Sequence, residues 1–298
     1  VEASVLAPLD AAAFELPEGL AIRGDKAIVG YAFTGQIESV DLATGERTPL
    51  ASAPPPPPNT AFMTGVDADA DGRILAAYVS FTPDAAPGIY RTAVGGGEAA
   101  LWASHPDMIF PNGLAWGEDG TLFVADSVYG GIFTVDADGT VNPWAQDALL
   151  AGMPEACGQT ADSLSVGANG VVWTPDGLLV ASSNQALLAK FPFEADGSAG
   201  PLAVLSGPDC ELLGGIDGIA VDEDGTILGA VNRSNTIVRI DPAGGIEPIF
   251  QGAPLDFPAS LALAGTGSGR GLYVSSFALD SYLSGGAPAP AVVKLTLP

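Results

Sequence analysis

Short apolar runs recur along the chain, each opened by a polar residue and a glycine and closed by a polar turn. The clearest reads Asn169-Gly170-Val171-Val172-Trp173-Thr174-Pro175-Asp176-Gly177. In the same way Asn112-Gly113 leads to Asp119-Gly120, Asp217-Gly218 to Asp224-Gly225 and Thr64-Gly65 to Asp71-Gly72. Glu18-Gly19 leads to a weaker turn, Gly24-Asp25-Lys26. In all five copies the opening residue and the turn aspartate are seven positions apart. A sixth, degraded copy opens at Ser260-Leu261 and turns near Gly267-Ser268-Gly269. Runs this short, rich in Val, Ile, Leu and Phe and bounded by Gly, Asp and Asn, read as β-strands.

The period sets the architecture. The openings are 46, 48, 57, 48 and 43 residues apart in succession, and each interval has room for four strands. Four strands per forty-odd residues is the signature of a propeller blade, so the expectation is an all-β, six-bladed β-propeller around a central channel. The predicted blades are about 17–50, 59–102, 109–145, 169–205, 215–250 and 258–298, in one domain over 1–298. Blade three is the cleanest, with strands expected at Gly113–Trp116, Leu122–Asp126, Gly131–Asp136 and Val141–Trp144. The last strand, near Ala291–Thr296, needs a neighbour, and a strand over about 4–9 is expected to close that blade. Pro54 to Pro58 reads as a stiff connection, because proline cannot join a sheet interior.

Composition narrows the function. The 298 residues carry 39 Gly and 25 Pro, which suits a turn-rich all-β chain. The net charge is −25, from 35 acidic and 10 basic residues. Such a surface repels nucleic-acid phosphates and anionic membranes. No run of 18 apolar residues offers a membrane span. The expected partner is a small molecule, and the expected state is a monomer. The sequence opens at Val1 without a leader pattern, and a leader removed beforehand would make the protein secreted or periplasmic, with a cytoplasmic location as the alternative.

The opening residues carry the candidate chemistry. The first strand of a propeller blade is innermost, so a shared register aims Glu18, Thr64, Asn112, Asn169, Asp217 and Ser260 at one axis. Their oxygens, with two carboxylates and no sulfur or imidazole, suit a hard divalent cation. Calcium fits best, with Mg²⁺, Mn²⁺ or Zn²⁺ behind it. Glu18 and Asp217 would balance its charge, and Asn112 and Asn169 would add neutral oxygens. The alternative is a polar, water-filled channel. Carboxylates facing each other without compensation near an apolar barrel are costly, which weighs against it.

These motifs resemble the gluconolactonase/regucalcin (senescence marker protein) family of six-bladed propellers. Diisopropylfluorophosphatase and the paraoxonases share that architecture. The resemblance runs through all six repeats and rests on Pro17-Glu18-Gly19-Leu20, Pro111-Asn112-Gly113-Leu114, Asn169-Gly170-Val171 and the stretch Asp217-Gly218-Ile219-Ala220-Val221-Asp222-Glu223-Asp224-Gly225. It implies one catalytic divalent cation held by Glu18, Asn169 and Asp217. It implies Asn112 as a further ligand or substrate contact, and Asp217 as general base or nucleophile. Three departures stand out. Ala168 replaces the usual proline before Asn169. Ala220 stands where some relatives have an aspartate for a second calcium. Ser275-Ser276 stands where some have a histidine. The implied activity is metal-dependent hydrolysis of a lactone or related ester. A phosphotriesterase using the same ion, and a non-catalytic binding propeller with a structural ion, are the alternatives.

Other features carry weaker expectations. His105, the sole histidine, reads as a loop residue, with a role as acid or base in the pocket as the alternative. Cys157 and Cys210 fall in loops entering adjacent blades on one face, which favours a disulfide tying a lid over two free thiols. The long stretch 145–168 is expected to cover the pocket or to pack on the next blade. Asp67-Ala68-Asp69-Ala70-Asp71-Gly72 begins like an EF-hand loop, but Tyr78 holds its twelfth position, so it reads as a turn. Trp116 and Trp173, each four residues after an asparagine, are expected to pack between blades.

Overall fold

The computed structural model describes residues 1–83, 85–160, 163–266 and 270–298. An N-terminal strand, β1 (Glu2–Pro8), precedes five consecutive four-stranded meanders. The first holds β2 (Pro17–Arg23), β3 (Lys26–Tyr31), β4 (Gln36–Asp41) and β5 (Arg47–Ser52). The second holds β6 (Ala61–Ala68), β7 (Arg73–Ser80), β8 (Gly88–Val94) and β9 (Gly96–Ala103). The third holds β10 (Pro111–Trp116), β11 (Leu122–Asp126), β12 (Gly131–Val135) and β13 (Val141–Gln146). The fourth holds β14 (Ala168–Thr174), β15 (Gly177–Ser182), β16 (Leu187–Pro192) and β17 (Ala203–Ser206). The fifth holds β18 (Ile216–Val221), β19 (Ile227–Val231), β20 (Thr236–Ile240) and β21 (Ile246–Gln251). The sixth sheet combines β22 (Pro258–Ala264), β23 (Gly271–Ser276) and β24 (Ala291–Thr296) with β1, which pairs antiparallel to β24 from Glu2↔Thr296 to Pro8↔Ala291. A short helix, α1 (Leu279–Leu283), bridges β23 and β24.

This is a six-bladed propeller. The first strands β2, β6, β10, β14, β18 and β22 pack in turn against one another, and β22 packs back on β2. Blades one and two are further joined at their outer edges, where β5 and β9 pair in parallel at Ala51↔Gly97 and Ser52↔Glu98. The apolar core lies between blades, with a cluster at each interface and a second, smaller one between blades six and one around Leu16, Ala32, Ala259 and Phe277. Ile28 and Ile37 meet Met63 and Tyr78 between blades one and two. Leu228 and Ile237 meet Leu272 and Val293 between blades five and six. Each fully buried Leu, Ile or Val contributes about 1.5–3 kcal/mol, so the ring is held by side chains that alternate toward its interfaces.

The repeat that opens each blade has a steric cause. A Cβ added at Gly113 would lie 2.3 Å from the Asn169 carbonyl oxygen, and one at Gly170 would lie 2.3 Å from that of Asp217. Each glycine thus lets the next inner strand approach within contact distance. Every blade also carries a β-bulge at this point, between Pro17 and Gly19 in blade one and between Ile216 and Ile219 in blade five. At the far end, turns close through aspartate side chains: Asp119 accepts from the Thr121 amide at 2.9 Å and Asp224 from that of Thr226 at 2.9 Å.

Blade six corrects the register. A Cβ at Gly218 would meet the carbonyl oxygen of Ala259 at 2.7 Å, and β22 resumes pairing at Leu261 after Pro258. Ala259 therefore occupies the opening position and Ser260 the glycine position. Ser260 is not an axial residue, and blade six offers no side-chain oxygen there. The expected turn at Gly267-Ser268-Gly269 lies outside the described residues.

Candidate functional site

Five of the opening side chains, Glu18, Thr64, Asn112, Asn169 and Asp217, form the polar floor of a cavity of about 860 Å³ at one end of the channel. All five are buried, between 1 and 7 % exposed. Serines fix the two amides. The Asn112 Nδ2 donates to Ser127 Oγ at 3.3 Å and the Asn169 Nδ2 to Ser183 Oγ at 2.9 Å. Those serines donate in turn to backbone carbonyls of the next blade, Ser127 to Ala168 at 2.7 Å and Ser183 to Ile216 at 2.6 Å. The nitrogens are committed to the wall, which leaves the amide oxygens for a cation. Thr64 is different: its hydroxyl donates to the Pro111 carbonyl at 2.7 Å, so it ties blade two to blade three.

The two carboxylates are not balanced by the protein. Asn232 Nδ2 donates to Asp217 Oδ2 at 3.1 Å. Burial pushes Asp217 up to about 7, against the hydrogen bonds of Asn232 and Asn169. Glu18 is raised well above the usual carboxylate range, first by burial and then by the charge of Asp217. Its Oε2 is buried with no hydrogen-bond partner among the described residues. A buried carboxylate oxygen without a donor, next to a second carboxylate, costs several kcal/mol if ionised and unpaired. A divalent cation among Glu18, Asp217 and the two amide oxygens would remove that cost. The donor set is oxygen only, which is the chemistry of calcium. Among the described residues no three His, Cys, Asp or Glu side chains converge, as expected of a set of two carboxylates and two amides.

Above the floor the walls turn apolar. Phe33, Phe62, Phe110, Phe257, Phe277 and Tyr282 line the cavity toward its mouth. They meet edge to face or tilted, with Phe62 and Phe110 ring centres 5.3 Å apart and Phe257 and Phe277 6.0 Å apart. Phe62, Phe110 and Phe257 share one register position, two residues before the axial residues of blades two, three and six, and Asn232 shares another with Ser127 and Ser183, directly after the second strand of the blade. The stretch 145–168 both lines and packs. Gln159 and Leu164 reach the cavity, while Asn184 accepts from the Val166 amide at 2.7 Å and holds the segment on blade four. Cys157 and Cys210 form a disulfide, Cα to Cα 5.3 Å, which ties this segment to the connection before β18.

The remaining sequence features lie elsewhere. His105 packs at a tilt against Phe133, ring centres 5.3 Å apart, and accepts from the Asp107 amide, and it does not line the cavity. Asp69 caps a turn and Asp67 pairs with Arg23 at 2.6 Å, so that acidic run is a β-turn. Trp116 packs at the interface of blades two and three, and Trp173 at that of blades three and four.

The profile of the SMP-30/Gluconolactonase/LRE-like region matches residues 11–175 and 155–278. The chain belongs to this family. No curated protein sequence matches it. Solved structures confirm the fold at low identity. The calcium-binding protein regucalcin from Agrobacterium tumefaciens superposes with a TM-score of 0.68 at 19 % identity, over 98 % of this chain and 92 % of that one. A gluconolactonase from Xanthomonas campestris gives 0.68 at 15 % identity, over 99 % and 89 %. A luciferin-regenerating enzyme gives 0.67 at 16 %, over 95 % and 92 %. Family members named gluconolactonase act on a small-molecule lactone. Among the described residues no helix is long and apolar enough to cross a membrane.

Proposed function

We propose that this member of the family hydrolyses small-molecule lactones or related esters at the axial floor of the cavity. A divalent cation, best calcium, would be held there by Glu18, Asn112, Asn169 and Asp217. The observation that carries the reading is the buried, unpartnered Glu18 Oε2 beside Asp217, at the polar base of an open cavity. A cation bound there supplies a Lewis acid toward the substrate carbonyl and offsets the negative charge that develops on its oxygen.

The chain's own residues do the rest. Ser127 and Ser183 hold the amides in place, and Asn232 holds the plane of the Asp217 carboxylate. Asp217 takes a proton from water as the water oxygen bonds to the acyl carbon. The ring C–O bond then breaks, and the proton passes to the leaving alkoxide. One water is consumed and one hydroxy acid is released. Asn112, its Nδ2 held by Ser127, contributes through its amide oxygen as a further ligand of the cation. The aromatic walls surround the buried floor with an apolar lining, which strengthens each of these contacts. The disulfide supports an oxidising compartment, hence a secreted or periplasmic protein.

The test is hydrolysis of a panel of aldonolactones and aliphatic lactones. Turnover should vanish with a chelator and return with calcium. A folded, calcium-loaded protein that turned over no lactone would overturn the reading.

A further inference from the structure

Resting on that hydrolase reading, we infer the substrate class: an ester or lactone with an apolar body of aromatic-ring size or larger that carries a carboxylate, which Arg233 binds at the mouth. Two independent observations lead there. The first is the wall. A polyhydroxylated body would set most of its hydroxyls against Phe33, Phe62, Phe110, Phe257 and Phe277, with Asn59, Gln159 and Ser163 to meet only some of them, whereas an apolar body would match the aromatic wall. The apolar lining also continues outward onto the rim, where Phe14, Leu164 and Leu283 are 48, 51 and 70 % exposed. Exposed apolar residues grouped at a cavity mouth mark a surface that meets an apolar ligand.

The second observation is Arg233, the sole basic residue on the lining among the described residues. It is half-buried, and burial lowers its pKa, with the charge of exposed Asp280 opposing. No carboxylate of the described residues lies within ion-pair distance of it, so Asp280 acts only at longer range. The backbone is shaped to seat it. Gly215 has φ +80°, and a Cβ there would come 2.2 Å from Asn232 Oδ1 and 2.8 Å from Arg233 Cγ. Arg233 thus lies beside Asn232, which itself donates to Asp217. With a cation balancing Glu18 and Asp217, Arg233 and Asp280 are the charges left on the lining. A guanidinium without an ion pair among the described residues, on the lining of a cavity, presents a planar fork that fits a carboxylate. The substrate would span from its carbonyl at the floor to its carboxylate at the rim.

The experiment uses matched aryl lactones, one with a para-carboxylate and one with a para-carboxamide, beside an aldonolactone, on the calcium-loaded protein. Binding of 4-phenylbutyrate and of its amide is measured by calorimetry as a readout that needs no turnover. The carboxylate lactone should exceed the carboxamide in kcat/KM by about tenfold or more, the aldonolactone should be the poorest, and phenylbutyrate should bind about tenfold tighter than its amide. Arg233→Gln should bring both ratios toward one. Arg233→Lys should restore part of them, and the exposed surface variant Arg239→Gln should keep them as in the parent. Equal binding of acid and amide, or a carboxylate preference that survives Arg233→Gln, would overturn the role of Arg233 and leave the hydrolase reading standing. A preference for the aldonolactone would overturn the apolar substrate class. Phenylbutyrate binding that depends on Arg233, with no lactone turned over, would overturn the hydrolase reading and the substrate assignment with it.

Discussion

Glu18 and Asp217 sit in an environment that favours their protonated forms, which makes the metal-free protein sensitive to pH. Asp217 has a folded pKa of about 7 against an ordinary 3.8. The folded state therefore binds more protons than the unfolded chain between those values. The contribution of Asp217 is greatest below pH 3.8 and is lost as the pH rises through about 7. Glu18 shifts in the same direction. In urea unfolding with chelator present, Asp217→Asn should flatten this fall relative to the parent chain. It should also stabilise the chelated protein at pH 7.5 by roughly 1–3 kcal/mol, since it removes a buried charge. The same variant should lose both the calcium-induced rise in Tm and lactone turnover. If Asp217→Asn instead weakened the chelated protein at that pH, the carboxylate would be structural and not strained.

The inner strands explain why so much of the fold was readable beforehand. A glycine after the axial residue lets the next inner strand come into contact, and five of six blades display it, blade six having Ser260 there. Gly170→Ala would press a methyl into the Asp217 carbonyl at 2.3 Å. The variant should lose more than about 2 kcal/mol of stability and bind calcium more weakly, because relief of the clash moves Asp217. Gly225 offers the contrast. Its φ is +83° but nothing lies near it, so Gly225→Ala should cost only about 1 kcal/mol and spare calcium affinity. Equal calcium affinities in the two variants would show that the inner strands do not position the site.

The same logic shows where pattern failed. Blade six has Ala259-Ser260 in place of a polar residue and glycine, so spacing pointed to Ser260 and only the register of β22 identifies Ala259. Ser127 and Ser183, which orient the amides, and Asn232, which holds Asp217, share one place after the second strand, 14 or 15 residues beyond the axial residue, but differ in residue type. Part of the aromatic mouth follows the repeat, since Phe62, Phe110 and Phe257 each stand two residues before an axial residue, while Phe33 and Phe277 follow second strands and join them only when the ring closes.

At the scale of the whole molecule, five blades are continuous in sequence and one is not. Blade six is completed by β1, through backbone hydrogen bonds to β24 and the Leu9 amide to the Pro290 carbonyl at 3.0 Å. The ring is thus a belt with a buckle. Glu18 comes from the strand that immediately follows β1, and Asp217 from blade five, on the other side of that buckle. A ligand shared by these two side chains is a pin through the belt, reaching from one side of the closure to the other. Amide hydrogens of β1 and β24 should therefore exchange about tenfold or more slowly with calcium than with chelator, although neither strand touches the cavity. Glu18→Gln should abolish that slowing. Exchange at β1 and β24 that ignored calcium would mean that the closure and the axial site are independent. If it responds, the site that binds the substrate also latches the circle.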